Sequence, residues 1–286
     1  MDVRGEIDRI LSFLERFMED YGYGGFVLGI SGGVDSAAVA GLLVRLVPPG
    51  RIRALILPER DSNPESVEHA KLVCETFGLD CEVRNITPIL KKLGIYSLQP
   101  PATFVPYKVK KEYALKKWAQ KGGEMAYELD IEEKGDEEFR KGVAYYRAKH
   151  RVRMCVLYME AELRGYAVAG TTNRTEWLTG LYVKWGDDAT DVEPLLHLYK
   201  SEVFELARAL GVPKEVVEKP PSPDLIPGLT DEMAFGMSYM ELDGILRAIE
   251  DGGDLSKFEE RKVERARRLL QLGKRRNVRM VSLERK

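Results

Sequence analysis

The sequence predicts an α/β fold, a doubly wound parallel sheet with helices on both faces. Two observations carry that expectation. Short apolar runs rich in Val, Ile, Leu and Phe alternate with longer segments of helical character, the spacing of strand–helix–strand units. The first such run, Phe26-Val27-Leu28-Gly29-Ile30, breaks at Ser31-Gly32-Gly33 and enters an Ala/Leu/Val-rich stretch at once. In open sheets of this class, ligands sit at such junctions, beyond the carboxyl ends of the strands.

The elements follow in order. Residues 4–20 place Ile7, Ile10, Leu11, Leu14, Phe17 and Met18 at helical spacing, an amphipathic helix ahead of the first strand. After the glycine turn and its helix, Pro48-Pro49-Gly50 closes the unit, and residues 52–57 read as a second strand. Asn63-Pro64-Glu65 opens a helix that runs to Phe77, and residues 81–86 read as a third strand. Residues 96–142 break the alternation: Pro100, Pro101 and Pro106 lead into a lysine-rich piece, then an acidic one from Glu124 to Glu138. Two readings stay open for this insertion, a mobile lid over the site or a solvated surface excursion. A long helix is expected over 143–164, a fourth strand over 166–170, a helix ending at Gly211, and a helical tail over 238–286. The whole chain, 1–286, reads as one domain.

Composition narrows the class. With 286 residues and 44% apolar content, the chain can bury a full core. A net charge of −2 gives no reason to expect nucleic acid or an anionic membrane as partner, and the acidic stretch offsets the lysines of the insertion. The 31% charged fraction suits a heat-stable protein. Cys74, Cys81 and Cys155 have neither metal nor redox spacing, so reduced, buried thiols are expected rather than a disulfide framework. No signal peptide is recognisable and no apolar run approaches about 18 residues, so a cytoplasmic protein without a membrane partner is expected.

The glycine turn carries the first chemistry. Adjacent glycines let backbone N–H groups converge, and the helix behind them adds its partial positive charge, a combination that binds phosphate. No Gly-Lys-Ser/Thr follows, so this is not a Walker A loop. Asp35 stands instead where a Mg²⁺ bridging phosphates would sit. The plain alternative is a strand-to-helix turn with Ser or Asp as a cap. A second junction, Gly170-Thr171-Thr172-Asn173-Arg174-Thr175-Glu176, opens towards the same crevice. Taken alone, Glu176 is a first-turn carboxylate favoured by the helix dipole. Lys184 and Asp191 alone are solvated loop charges. Arg151 could pair with acids on a helix face. Lys200, at a helix start, supplies a mobile cation for phosphate.

The six-residue string Ser31-Gly32-Gly33-Val34-Asp35-Ser36 resembles the signature of the ATP pyrophosphatases, which split ATP between its α- and β-phosphates. Gly-Thr-Thr-Asn-x-x-Glu at 170–176, Lys184-Trp185-Gly186-Asp187 with Asp191, Leu198-Tyr199-Lys200, the segment 219–225 and Thr230-Asp231-Glu232 together are similar to ammonia-dependent NAD synthetases. The motifs fit over roughly residues 26–86 and 143–250.

The resemblance implies an adenine nucleotide α-hydrolase-like fold and a set of roles. Gly29, Ile30, Ser31, Gly32, Gly33, Val34, Asp35 and Ser36 would hold ATP, with Thr171, Lys200 and Ser222 completing that site. Asp35 and Glu176 would hold Mg²⁺, and with Lys200 would form the catalytic group. Arg151, Lys184, Asp191, Asp224 and Lys274 would contact deamido-NAD. The implied reaction adenylates the nicotinate carboxylate and releases pyrophosphate; ammonia then displaces AMP. The resemblance also implies a homodimer. No amidase segment precedes the synthetase region, so glutamine would serve only through a separate ammonia-supplying subunit.

This chain departs from the family pattern at three places. Gly273 stands where the family has His, Tyr146-Arg147 replaces a Gly-Asn pair, and residues 58–63 differ from the usual polar loop, with His69 replacing a common Asp. The rival readings are an ATP pyrophosphatase with another acceptor, such as a tRNA thiolase, and a nucleotide-binding paralogue without catalysis.

Overall fold

A computed structural model describes residues 1–99, 105–120, 122–222 and 228–279. Four parallel strands, β1 (Phe26–Gly29), β2 (Ile52–Ile56), β3 (Cys81–Val83) and β4 (Ala167–Ala169), lie in the order β3–β2–β1–β4. Phe26 is in register with Ile52 on one side and Ala167 on the other. The period of two in a strand divides β1 between two cores. Phe26 and Leu28 pack with helices α1 (Val3–Tyr21) and α2 (Val34–Leu46) and with residues 203–210, whereas Val27 faces the opposite core. A strand covered on both faces reads as a continuous apolar run, which is why these strands were legible. The doubly wound α/β sheet expected from the sequence is the observed one.

Next come α3 (Pro64–Phe77), started by the Asn63 side chain accepting the Glu65 N–H at 3.1 Å, and a short α4 (Thr87–Lys92). Helices α5 (Tyr107–Gln120) and α6 (Glu124–Glu132) fill the described part of the insertion. The long helix α7 (Glu137–Glu162) begins six residues earlier than expected, where Asp136 accepts the Phe139 N–H at 2.8 Å. The acidic stretch is a packed helix rather than a solvated one: α6 buries Tyr127 and Ile131 in the C-terminal cluster.

Helices α8 (Arg174–Thr179), α9 (Lys200–Leu210), α10 (Lys214–Val217), α11 (Asp231–Phe235), α12 (Tyr239–Glu250) and α13 (Glu260–Arg276) complete the chain. A third core, away from the sheet and centred on Phe235, Leu242, Leu246, Ala266 and Leu269, joins α6, α11, α12 and α13. Among the described residues no helix is long and apolar enough to cross a membrane.

The cysteine expectation is corrected. Cys74, at the end of α3, and Cys81, at the start of β3, form a disulfide with Cα atoms 6.1 Å apart, while Cys155 is free and exposed. The helix-to-strand return brings the pair to bridging distance, and a separation of seven residues carries no pattern that announces it.

Candidate active site

The loop after β1 is held by its own serines and turned by one glycine. Ile30 extends the ladder past β1, its N–H donating to the Leu55 carbonyl at 2.8 Å. Gly32 then turns the chain with φ of +78°, and a Cβ there would stand 2.1 Å from the Ser66 carbonyl oxygen. Only glycine lets the loop lie against α3. The Ser31 N–H donates to Ser36 Oγ at 3.2 Å, the Gly33 N–H donates to Ser31 Oγ at 3.2 Å, and Ser36 Oγ donates to the Gly33 carbonyl at 3.1 Å. Gly33, at the N-cap of α2, offers no capping side chain. The first N–H groups of that helix are thereby left for an anion.

Three helix starts meet beside this loop. Asn173 and Glu176 form a reciprocal cap on α8: Asn173 Oδ1 accepts the Glu176 N–H at 3.0 Å, and Glu176 Oε2 accepts the Asn173 N–H at 3.2 Å. Glu176 Oε1 remains for Lys200, whose Nζ lies 3.3 Å away. The same Nζ donates to Asp35 Oδ2, and Asn173 Nδ2 donates to Asp35 Oδ1 at 2.9 Å. Asp35, Glu176 and Lys200, remote in sequence, are therefore joined around one ammonium.

Buried Asp243 of α12 sets this geometry from behind. It accepts from Thr175 Oγ1 at 2.6 Å and from the Ser201 N–H at 2.8 Å, while Thr175 Oγ1 accepts the Lys200 N–H at 3.0 Å. Sequence reasoning missed Asp243, since an acid inside a helical pattern gives no sign of its partners.

Charge in this centre is out of balance. Lys200 is 2% exposed. Burial alone would lower its pKa, but the carboxylates of Asp35, Glu176 and Asp231 outweigh burial and raise it. Glu176 is pushed up to about 8, mainly by burial; Lys200 opposes the shift, and the charges of Asp35 and Asp231 add to it. Asp231, at the start of α11, is pushed up to about 6, again chiefly by burial with Lys200 opposing. Its Oδ2 accepts the Tyr239 hydroxyl at 2.6 Å, and its buried Oδ1 has no hydrogen-bond partner. Asp231 lay inside a quoted motif without being assigned a role.

Three carboxyl groups gathered around one ammonium suit a further cation, whose charge would favour their ionised forms, and carboxylate oxygens suit Mg²⁺. Because Asp35 and Glu176 reach the same ammonium, one ion could bridge them. Among the described residues no group of three or more His, Cys, Asp or Glu side chains could hold a metal. Phosphate oxygens and water would have to fill the remaining positions.

The other expected contacts divide. Thr171 follows β4 and is half-buried. Beside it the Thr172 N–H donates to Glu193 Oε2 at 3.0 Å; Glu193, also missed, is pushed up to about 8, chiefly by burial. Ser222 Oγ donates to the Leu229 carbonyl at 2.8 Å, and its segment reaches the phosphate loop's neighbour through Lys219 Nζ on Ser66 Oγ, also 2.8 Å. Asp224 lies outside the described residues. Arg151 and Lys184 meet, Arg151 Nη2 donating to the Lys184 carbonyl at 3.1 Å, while Lys184 Nζ donates to the Val278 carbonyl. Asp191 is placed differently: its Oδ2 accepts the Val168 N–H of β4 at 2.7 Å, and its Oδ1 the Tyr158 hydroxyl at 3.2 Å. Lys274 is exposed on α13.

Two of the departures acquire a physical reason. At Gly273 a Cβ would stand 1.9 Å from the Leu178 carbonyl oxygen, so α13 packs on α8 only because this residue is glycine. Tyr146 and Arg147 both donate to Asp130 Oδ1 of α6, the arginine at 2.9 Å, and Arg276 reaches Asp130 Oδ2 at 3.1 Å. The substituted pair anchors the insertion to α7, and Arg276 anchors it to α13.

Residues 6–105 and 119–276 match the family described as NAD synthase. The NH(3)-dependent NAD(+) synthetase of Thermotoga maritima is 54% identical over 93% of this chain and 94% of its own length. Its counterpart in Thermococcus kodakarensis is 39% identical over 88% of this chain and 83% of its own. Among solved structures, an NMN synthetase from Francisella tularensis superposes with a TM-score of 0.73 at 27% identity, covering 99% of each chain. An NH3-dependent NAD synthetase from Campylobacter jejuni gives the same TM-score at 24% identity over 99% of this chain and 100% of that one, a likeness of fold.

Proposed function

The chain belongs to the NAD synthase family, and from that premise we propose that it is a ligase that amidates deamido-NAD with ammonia while cleaving ATP to AMP and pyrophosphate. A nicotinate carboxylate oxygen attacks the α-phosphorus, and the bond to the leaving pyrophosphate breaks. Ammonia then attacks the carboxyl carbon of the adenylate, AMP leaves, and a proton is released as the amide forms. The observation that carries this reading is the junction of Asp35, Glu176 and Lys200 beside an uncapped helix start. Joining two anions demands that charge be offset in place. The α2 amides would hold phosphate oxygens, and Lys200, already protonated, would follow the charge that gathers on the pyrophosphate. No general base is required for ammonia to attack an adenylate; holding the substrates in line supplies most of the acceleration.

We further propose that Asp35 and Glu176 hold Mg²⁺, which when bound would neutralise the phosphates and stiffen their alignment. Arg151, Lys184 and Lys274 are proposed to contact the acceptor. So is Asp191, whose exposed residue retains lone pairs beyond the bonds to Val168 and Tyr158. The working unit is proposed to be a homodimer in the cytoplasm, which light scattering on a sizing column would test. Helix α5 is proposed as the lid, latched by Lys110 Nζ on Asp61 Oδ1 at 2.8 Å and resting through Lys111 against Gly228.

The deciding experiment mixes the protein with ATP, Mg²⁺ and ammonium and supplies deamido-NAD or nicotinate mononucleotide in turn. NAD, AMP and pyrophosphate should form in equal amounts with the dinucleotide, and Asp35→Asn or Glu176→Gln should abolish them while leaving the fold intact. AMP formation that ignores deamido-NAD would refute the assignment.

A further inference from the structure

Resting on the proposed acceptor role of Lys184, we propose that Arg279 is a positioning residue for the acceptor, holding residues 182–188 in the shape that presents Lys184. That loop is wound around two of its own carboxylates. Asp187 Oδ1 accepts the Val183 N–H at 2.7 Å, and Asp188 Oδ1 accepts the Trp185 N–H at 2.6 Å. The second bond holds Trp185 at a φ of +61°, a conformation that non-glycine residues rarely adopt. The side chain of Asp188 is only 1% exposed, and its other oxygen is taken by Arg279 Nη1 at 2.6 Å. A carboxylate withdrawn this far from water needs that partner.

The planar face of the guanidinium is used as well. Its carbon lies 5.1 Å from the ring centre of Trp177 on α8 and 5.2 Å from that of Trp185, so one side chain ties α8, the loop and the buried acid together. Neighbouring residues reinforce the attachment: Arg276 Nη1 donates to the Tyr182 carbonyl at 2.5 Å, and Asn277 Nδ2 donates to the Trp177 carbonyl at 3.2 Å. With Arg279 gone, Asp188 must either stay buried and unpaired or turn to solvent. Turning releases the Trp185 N–H and moves Lys184 with it.

The test compares the parent, Arg279→Ala and Arg279→Lys in a Trp118→Phe background, so that tryptophan emission reports only on the two indoles. Arg279→Ala should raise the KM for deamido-NAD roughly 10-fold or more, with kcat and the KM for ATP within about twofold. Acrylamide quenching should rise with it. Arg279→Lys, which keeps the charge but not the planar face, should fall between. An unchanged deamido-NAD KM, or an equal rise in the KM for ATP, would overturn the inference. A parent that forms no NAD refutes the proposed function instead; the inference is then judged by quenching, and equal quenching of parent and Arg279→Ala overturns it.

Discussion

Replacing Lys200 by methionine is the most direct trial of the active-site geometry. The substitution keeps the length of the side chain and removes a charge that is 2% exposed and bonded to Asp35 and Glu176. Deleting one member of a buried ionic cluster costs about 3–5 kcal/mol, because the abandoned charges stay desolvated. For a chain of this size that corresponds to a fall in Tm of roughly 6–20 °C. The loss should depend on pH in a definite direction. Glu176 binds its proton up to about pH 8 even with the lysine opposing it, so without the lysine it keeps that proton to still higher pH. Above about pH 8 the parent's Glu176 releases its proton while the variant's must hold on to it, and a proton bound only in the folded state costs stability as pH rises, so the variant's deficit relative to the parent should widen between pH 6 and 9. Differential scanning calorimetry of both proteins at pH 6 and 9 measures the widening. A Tm within about 2 °C of the parent at pH 9, or the same deficit at both values, would show that the three side chains do not share one desolvated centre.

Four further outcomes are expected. Gly273→Ala places a methyl group against the Leu178 carbonyl, 1.9 Å away before anything moves; it should destabilise the chain by roughly 1–3 kcal/mol, and an unshifted urea midpoint would contradict the packing of α13 on α8. Exchanging Cys74 and Cys81 together for serine should cost about 2–3 kcal/mol, since the unfolded chain regains the closed loop; equal Tm with and without reductant would refute a formed disulfide. Glu193 keeps its proton in the folded state to about pH 8 and releases it near 4.5 when unfolded, so stability should decline as pH climbs between those values. Glu193→Gln should flatten that decline, and parallel slopes for parent and variant in urea titrations at pH 5, 7 and 9 would exclude it. Finally, Lys110→Ala should unlatch α5 and let water intercept the adenylate, raising AMP formed per NAD formed above one; a ratio held at one, with an unchanged KM for ATP, would remove the lid.

What could be read from the residues was what local chemistry dictates. Strands β1 and β4 announce themselves because both faces are covered, and α3 because Asn63 and Pro64 open it. Asp35, Glu176 and Lys200 were found because each stands at the start of a helix beyond a strand or loop with its own recognisable spelling. What depends on distant partners stayed hidden. Asp243 orients two helices through Thr175 and Ser201, and nothing near it in sequence says so. The start of α7 was misplaced because residues 137–142 read as the end of the insertion until Asp136 is seen capping the helix. Tyr146 and Arg147 looked like defects in a substrate segment, and only the arrival of Asp130 from the insertion makes them anchors.

The sheet has two margins, and each is closed to a different degree. On the β3 side the outermost strand is three residues long, its Glu82 is clasped by Arg53 and Arg84, and its first residue is covalently fastened to α3. Beyond β4, the stretch at Asp191 and Val192 already occupies the outward-facing amides and carbonyls of residues 168–170. Strand-to-strand recruitment, the liability of an exposed sheet edge, is thereby hindered by a very short, charged strand at one border and by an occupied ladder at the other.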